Sequence, residues 1–273
     1  MGGHALTYLA TDFRNADGAD EVGKLLRCLA FMDDLPCFRS YKERSLDALC
    51  LTGSSRAIDL ACGLGYDLLR MRQHAPGATV MGLDASGSLL EAARERVLQG
   101  SGIEVVRADA RRTGLPDGAF DAVRIDRSLQ HIERPEEVVA EMARLLARGG
   151  RAVLSEPDWA TFHVTGAPED GLERALAAWR GAFANPRAGW RAAELAAQAG
   201  LEVFRVETGS LLSRSFAEAD IVYDLQATLD RAVTAGVLER GTAAAIRADM
   251  DRRTLAGTFV AHLTLFTVAA RKP

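Results

Sequence analysis

The chain has 273 residues, of which 48% are hydrophobic and 26% are charged, and its formal net charge is −4. This length can bury one large core and does not require a second domain, so we expect a single α/β domain. Acidic and basic residues are intermixed without a basic face, which argues against nucleic acid as the main partner. The longest apolar runs are of strand length rather than the ~20 residues that span a bilayer, and no signal peptide is recognisable, so we expect a cytoplasmic protein with no membrane partner.

The four cysteines give no sign of a metal site or of a disulfide framework. They include no C-x-x-C pair, and no histidines cluster near them, whereas zinc sites and small disulfide scaffolds need such spacing. We therefore expect no bound metal and interpret these residues as buried thiols: Cys28, Cys37, Cys50 and Cys62.

Two helical patterns precede the first predicted strand. Apolar residues recur at helical spacing over 21–35 and 39–51, and Pro36 separates the two segments. In an open α/β sheet, ligands bind at the carboxyl ends of the strands, so such helices lie either across that edge as a lid or on the flank of the sheet. The spacing does not distinguish these two arrangements.

The stretch 56–84 reads as strand, glycine-bearing loop, helix and second strand. Gly63 and Gly65 occupy the loop, and the second strand ends at Asp84. An acidic side chain about 20 residues after such glycines is placed to accept hydrogen bonds from ribose hydroxyls. The sequence therefore predicts a ligand that carries a ribose.

A missing glycine narrows the choice of ligand. Dinucleotide-binding loops need G-x-G-x-x-G, in which the last glycine allows tight helix packing near a pyrophosphate, but Leu68 stands at that position. The loop from Asp59 to Gly65 reads D-x-A-C-G-x-G and resembles the first motif of the class I S-adenosylmethionine-dependent methyltransferases. A tight strand-to-helix turn is the structural alternative for a lone G-x-G.

A second acidic residue follows the third predicted strand. The helix after Asp84 is expected to begin with a capping box formed by Ser88 and Glu91, and the strand 103–108 then leads directly to Asp109. A carboxylate there is placed to accept the exocyclic amine of an adenine, and the surrounding sequence resembles the adenine-contacting motif of the same methyltransferases. The alternative is that Asp109 caps the following turn.

Strands and helices alternate from residue 56 onward, which predicts a mostly parallel sheet wound on both faces. The later strands are expected at 120–125, 152–155, 201–208 and 261–270, with a long helical section at 216–256.

The segment 41–157, with the tail 263–273, resembles the small-molecule methyltransferases similar to the ubiquinone and menaquinone C-methyltransferases. The resemblance implies a Rossmann-like seven-stranded methyltransferase sheet, mostly parallel with an antiparallel last strand. Lid helices (1–51) would precede the cofactor-binding half (52–157), and substrate-cap helices with the final two strands (158–273) would follow. A subset of such enzymes serves natural product biosynthesis. The resemblance is carried by Phe120-Asp121-Ala122-Val123-Arg124, Leu129-Gln130-His131, Pro135 and Gly149-Gly150-Arg151.

The same resemblance implies S-adenosyl-L-methionine as cofactor. Arg44, on the second lid helix, is our candidate for the cofactor carboxylate, although a solvated helix charge is the alternative. The other implied cofactor-binding residues are Asp59, Ala61, Gly63 and Gly65 for the methionine part, Asp84 for the ribose, Ala85 next to it, Asp109 and Ala110 for the adenine, and Arg127 with Ser128 beyond the fourth strand. Ala61 stands where the family often has glycine.

In methyl transfer the side chains mainly position the reactants, but a general base is useful where the acceptor must lose a proton. His131 is the best-placed candidate, with loop orientation as its alternative role, and His163 is a second candidate. Aromatic residues in the second half of the chain indicate a small, largely apolar or aromatic acceptor if they line the pocket. The alternative is that they belong to the hydrophobic core. The candidate substrate residues are Trp159, Phe162, Trp190 and Tyr223.

Two rival functions remain open at this point. One is an NAD-linked oxidoreductase, which Leu68 disfavours, and the other is a non-catalytic protein that only binds S-adenosylmethionine. The sequence does not decide between carbon, nitrogen and oxygen as the methylated atom. Exchange of the amino-terminal helices between subunits would give a homodimer.

Overall fold

A computed structural model describes residues 13–18, 22–97 and 102–273, and its centre is a seven-stranded sheet. The strands are β1 (Arg56–Leu60), β2 (Thr79–Asp84), β3 (Ile103–Arg107), β4 (Phe120–Asp126), β5 (Leu146–Val164), β6 (Glu202–Ser213) and β7 (Ala261–Arg271). Their order across the sheet is β3-β2-β1-β4-β5-β7-β6. The first five strands pair in parallel, whereas β7 runs antiparallel to both β5 and β6. The predicted fold class is therefore confirmed, including the antiparallel last strand.

Helices cover both faces of the sheet and extend beyond it. They are α1 (Val22–Asp34), α2 (Pro36–Leu49), α3 (Tyr66–His74), α4 (Gly87–Arg96), α5 (Pro135–Leu145), α6 (Glu169–Arg180), α7 (Ala188–Gln198), α8 (Phe216–Tyr223), α9 (Leu225–Thr234) and α10 (Arg240–Leu255). Two 3₁₀ helices, Phe13–Gly18 and Leu129–His131, complete the set. Across the residues described, no helix combines the length and the apolar character needed to cross a membrane.

The helical section predicted at 216–256 consists of three helices rather than one. The first break is at Asp224, whose backbone is left-handed with φ of 55°. These helices and α6 form a cap, which one apolar cluster joins to α1; its members include Leu25, Leu176, Tyr223, Leu229 and Ile246. Lys24 of α1 reinforces this junction with an ion pair of 2.7 Å to Asp224.

The fifth strand is much longer than the predicted 152–155. Its second half continues past its parallel neighbour β4 and pairs with β7, as in the register of His163 with His262. Because side chains alternate along a strand, Phe162 is fully buried whereas His163 points to solvent.

The start of α4 also differs from the prediction. The N-cap is Ser86, whose hydroxyl accepts the backbone N–H of Leu89 at 3.2 Å, so the capping box predicted at Ser88 is wrong. Ser86 lies at the carboxyl edge of the sheet, where its backbone N–H donates to Asp84.

Candidate active site

A cleft of about 600 Å³ opens at the carboxyl ends of β1, β2 and β4. This is the edge at which an open α/β sheet binds ligands. The loops after the strands, the helices α1 and α2, and the cap all contribute to its walls. The site residues predicted from sequence that line the cleft are Asp59, Ala61, Gly63, Asp84, Ala85, Asp109, Ala110, Arg127, Ser128, His131, Trp159 and Tyr223.

Asp84 joins two of the loops that form the cleft. One carboxylate oxygen accepts the backbone N–H of Gly63 at 2.9 Å, and the other accepts that of Ser86 at 2.9 Å. Burial raises the pKa of the Asp84 carboxyl, and these two N–H donors oppose that rise. Since a carboxylate offers about four acceptor positions, Asp84 keeps capacity for ligand hydroxyls on its cleft side.

Asp109 lines the cleft and also caps the turn that follows β3. Its carboxylate accepts the backbone N–H of Arg111 at 2.9 Å and the guanidinium of the same residue at 2.6 Å. The hydrogen bond from the Arg111 side chain is the main reason why the pKa of Asp109 is lowered. The turn-capping role considered for Asp109 is therefore present, together with exposure to the cleft.

The 3₁₀ helix Phe13–Gly18 lies across the part of the cleft that Asp84 lines. Asp17 accepts hydrogen bonds from the Ser86 hydroxyl at 2.6 Å and from the backbone N–H groups of Gly87 and Ser88 at 2.9 and 3.0 Å. These bonds, that of Ser86 first, hold the pKa of Asp17 well below its usual range. Asp17 thus fastens this segment to the start of α4, where the helix dipole favours a carboxylate.

The two lid helices contact the cleft directly. Leu29 and Met32 of α1 and Phe38 of α2 line its wall, as does the ring of Phe13, whose centroid lies 5.3 Å from that of His131. Both arrangements considered for these helices are therefore present: α1 and the start of α2 lie over the ligand edge, whereas Leu46 and Leu49 at the end of α2 pack on the flank of the sheet. Residues 1–12 of the predicted lid lie outside the described residues.

A buried network of charges forms the floor of the cleft. Arg124 is fully buried and lies 3.0 to 3.2 Å from carboxylate oxygens of Asp59, Asp67 and Asp126. Lys42 approaches Asp67 at 2.5 Å and Asp126 at 3.5 Å. Burial raises the pKa of Asp59. The charge of Arg124 opposes this rise, and the charges of the neighbouring acids add to it. The network positions the ends of β1 and β4 relative to α2 and α3.

Glu156 holds the loop after β4 in place. Its buried carboxylate accepts the backbone N–H groups of Ser128 at 2.8 Å and of Leu129 at 2.7 Å. Burial raises the pKa of Glu156 to about 8, although these N–H donors act in the opposite direction. Because these bonds fix the short helix that ends at His131, Glu156 is a positioning residue for that imidazole.

Beyond His131 the cleft becomes an aromatic chamber. The ring of His131 lies between Phe13 and Phe183, with centroid distances of 5.3 and 5.7 Å. Trp159 stacks on Phe183 at 4.5 Å and donates its indole N–H to the Gln130 carboxamide oxygen at 2.6 Å. The aromatic residues that line this chamber are Phe38, Trp159, Trp179, Phe183 and Tyr223.

Arg44 does not reach the cleft. Its guanidinium donates to the Ser40 hydroxyl at 2.7 Å and lies 4.0 Å from Glu207 of β6. The prediction that Arg44 binds the cofactor carboxylate is corrected accordingly, because the residue faces the sheet edge on the far side of α2.

Four other predicted residues are also away from the cleft wall. His163 is 71% exposed and lies 4.0 Å from Glu173, and Trp190 is 62% exposed against Phe266, because α7 packs on the sheet outside the cap. Phe162 is fully buried behind the chamber, in contact with Trp179 and Tyr223. Gly65 is the left-handed N-cap of α3 and shapes the loop without lining the cleft.

Five residues of the site were not predicted from the sequence: Lys42, Asp67, Arg124, Asp126 and Glu156. A signal existed for one of them, since Arg124 lies between the apolar residues Val123 and Ile125 in the centre of a strand, which indicates a buried ion pair. Asp17 was missed as well, because the segment around it carries no apolar periodicity.

The chain is similar in sequence to known methyltransferases. The methyltransferase domain family matches residues 58–154. An uncharacterized 37.1 kDa protein of transposon Tn4556 from Streptomyces fradiae is 36% identical over 236 residues, which are 85% of this chain and 67% of that protein. The demethylmenaquinone methyltransferase of Thermus thermophilus is 37% identical over 134 residues, covering 48% of this chain and 59% of the enzyme.

Solved structures with a similar fold include two methyltransferases. The phosphoethanolamine N-methyltransferase 2 of Haemonchus contortus, in complex with S-adenosyl-L-methionine, has a TM-score of 0.62 at 16% identity and covers 98% of this chain and 61% of that chain. A geranyl diphosphate methyltransferase has a TM-score of 0.56 at 18% identity over 95% of this chain and 94% of that chain. At these identities the likeness shows the fold. The chain also spans only 58% of the ubiquinone/menaquinone biosynthesis C-methyltransferase of Pseudomonas fluorescens, at 32% identity.

Proposed function

The chain belongs to the class I S-adenosylmethionine-dependent methyltransferases, and from this premise and the shape of the cleft we propose that it methylates a small, largely apolar or aromatic acceptor in specialised metabolism. The observation that carries the proposal is the continuity of the two parts of the cleft. The wall that contains Asp84 and Asp109 opens directly into the aromatic chamber around Trp159. A cofactor on the first part would therefore face an acceptor in the second.

The residues of the first part fit S-adenosylmethionine better than a dinucleotide. Leu68 is fully buried and lies against Gly82 of β2, where an added Cβ would fall 2.5 Å from its methyl group. The close approach of α3 to the sheet is thus achieved with a glycine on the strand, and the start of α3 lacks the third glycine of the dinucleotide fingerprint. Asp84 would hold the ribose, and Asp109 with Ala110 would hold the adenine.

S-adenosylmethionine, when bound, supplies an activated methyl group. The chain binds and orients the reactants and excludes water. The lid segment around Asp17 and the cap flank the cleft and would exclude water from a bound cofactor. His131, which Glu156 positions through the loop, would accept the proton of an acceptor that must lose one. Its alternative role is to orient the loop by packing between Phe13 and Phe183.

We extend the proposal to the organisation of the chain. Residues 52–157 would serve the cofactor, while the lid helices and residues 158–273 would select the acceptor. The similarity to a transposon-encoded Streptomyces fradiae protein supports a role in specialised metabolism. The Thermus relative, a demethylmenaquinone methyltransferase by name, makes quinol-like rings one acceptor class to test.

Two measurements test this function. Calorimetric titration with S-adenosylhomocysteine should give saturable binding, whereas NAD should give none; tight binding of NAD alone would favour the oxidoreductase. Incubation with methyl-deuterated S-adenosylmethionine and a panel of phenols, quinols and aromatic acids should then yield a product heavier by one labelled methyl group in mass spectrometry. Cofactor binding with no transfer to any acceptor would favour the non-catalytic reading.

A further inference from the structure

We propose that Arg127 is the receptor for an anionic oxygen group on the acceptor, so that the acceptor is an acid, either a carboxylate or an ionised phenol. This inference rests on the proposed function and makes its substrate class more specific. It rests on two observations: the Arg127 guanidinium is deeply buried, and the described residues give it few hydrogen-bond acceptors.

Arg127 is held in the cleft with weak partners. Its side chain is 15% exposed, and its backbone, immediately after β4, is left-handed with φ of 51°. One terminal nitrogen contacts the Met32 sulfur at 2.8 Å, and the guanidinium lies 4.9 Å from the ring centroid of Phe38. A thioether is a weak acceptor, and among the described residues the buried Nε atom has no hydrogen-bond partner.

The nearest carboxylate does not satisfy this charge. Asp126 lies 3.8 Å from the Arg127 Nε, beyond hydrogen-bonding distance. The same carboxylate accepts the Tyr41 hydroxyl at 3.1 Å and lies 3.2 Å from Arg124 and 3.5 Å from Lys42. Arg124, by comparison, has three carboxylates within 3.2 Å. Among the described cations in the floor of the cleft, Arg127 is therefore the least closely paired, since Lys42 and Arg124 each lie within 3.0 Å of a carboxylate oxygen.

The position of Arg127 favours the acceptor over the cofactor as the source of the anion. Met32 and Phe38 belong to the lid helices, and neither Asp84 nor Asp109 contacts the guanidinium. The guanidinium lines the same cleft as Trp159 and Tyr223 of the aromatic chamber, so it faces the space that an acceptor would occupy. The amino-acid carboxylate of the cofactor is the other anion in the cleft, and the experiment distinguishes it.

A buried guanidinium without a close carboxylate partner should destabilise the free protein. We therefore expect Arg127→Met, an apolar substitution of similar length, to melt at or above the temperature of the wild type in the absence of ligand. The matched control is Arg124→Met, which leaves three buried carboxylates without their cation and should melt roughly 10 °C lower. If Arg127→Met also melts much lower, the guanidinium has a structural role and the proposal is overturned.

Ligand binding gives the second, independent readout. The protein is saturated with S-adenosylhomocysteine and titrated with benzoate and 2-naphthoate and with the corresponding amides. We expect each carboxylate to bind about tenfold or more tightly than its amide, since a charge-assisted hydrogen bond distinguishes them, and Arg127→Met to abolish this difference. Equal binding of acid and amide, or no binding of either, contradicts the proposal.

A cofactor role for Arg127 is tested with a truncated ligand. 5′-Methylthioadenosine lacks the amino-acid carboxylate, so the ratio of its dissociation constant to that of S-adenosylhomocysteine reports on that group. We expect Arg127→Met to leave this ratio unchanged. A ratio that falls to about one in the variant would assign Arg127 to the cofactor and overturn the acceptor assignment. Absence of S-adenosylhomocysteine binding by the wild type would instead mark a failure of the proposed function.

Discussion

The carboxylate of Asp84, at the end of β2, accepts the backbone N–H of Gly63, in the loop after β1, at 2.9 Å. The second oxygen accepts the N–H of Ser86, so one side chain fixes both loops at the edge where a nucleoside would lie. A change at Asp84 should therefore affect the ligand contact and the shape of its site together.

Asp84→Ala should weaken binding of S-adenosylhomocysteine by about ten- to a hundredfold, because it removes a buried carboxylate acceptor. Isothermal titration calorimetry measures the change. Asp121→Ala is the control, since Asp121 pairs with Arg56 at the opposite end of the strands and is partly exposed. Unchanged affinity in Asp84→Ala would remove this residue from the cofactor site.

Asp17→Ala should loosen the segment 13–18, because it removes the acceptor for the Ser86 hydroxyl and for two N–H groups at the start of α4. We expect roughly three- to tenfold weaker S-adenosylhomocysteine binding and faster amide exchange in this segment. Asp34→Ala, which removes an exposed acid of α1 that pairs with Arg39, provides the comparison. Equal exchange in both variants would mean that Asp17 does not hold the lid.

His131→Gln should lower the rate of methyl transfer by about a hundredfold while leaving S-adenosylhomocysteine affinity near that of the wild type, if the imidazole accepts a proton. Single-turnover kinetics and calorimetry separate the two effects. His74→Gln, at a partly exposed imidazole on α3 beside Asp47, is the control. The opposite division, with weakened binding and normal turnover, would assign His131 to loop orientation.

Glu156 makes stability depend on pH in a specific direction. Burial raises the pKa of this carboxyl to about 8, above its usual value, so the folded state favours the protonated form. Its contribution is fully present at acidic pH and is lost as the pH rises through about 8. Glu156→Gln keeps an oxygen acceptor and cannot ionise, so its melting temperature relative to the wild type should rise between pH 6 and pH 9. A constant difference would show that Glu156 is ionised throughout.

The cofactor half was predictable because its signals are local. Asp59, Gly63 and Asp84 lie within one strand–helix–strand unit, and the fold rules for such a unit fix which edge they occupy. Asp109 could be placed for the same reason. The antiparallel direction of β7, in contrast, came from the family resemblance, since a strand pattern carries no direction.

The rest of the site depends on contacts between distant parts of the chain. Lys42 reaches Asp67 across 25 positions, and Tyr41 reaches Asp126 across 85. No periodicity in the sequence encodes these pairings. Arg44 was therefore chosen as the candidate for the cofactor carboxylate, although Lys42, two residues earlier, is the one that faces the cleft. His163 was misplaced because the length of β5, and with it the alternation of its side chains, is set by pairing with β7.

The most direct test of the account is a crystal structure of the chain with S-adenosylhomocysteine. We predict that the ribose hydroxyls contact the carboxylate of Asp84, that the adenine lies beside Asp109 and Ala110, and that the sulfur faces the chamber around Trp159. An adenosine group bound elsewhere, or an Asp84 carboxylate turned away from it, would contradict the assignment of the cleft.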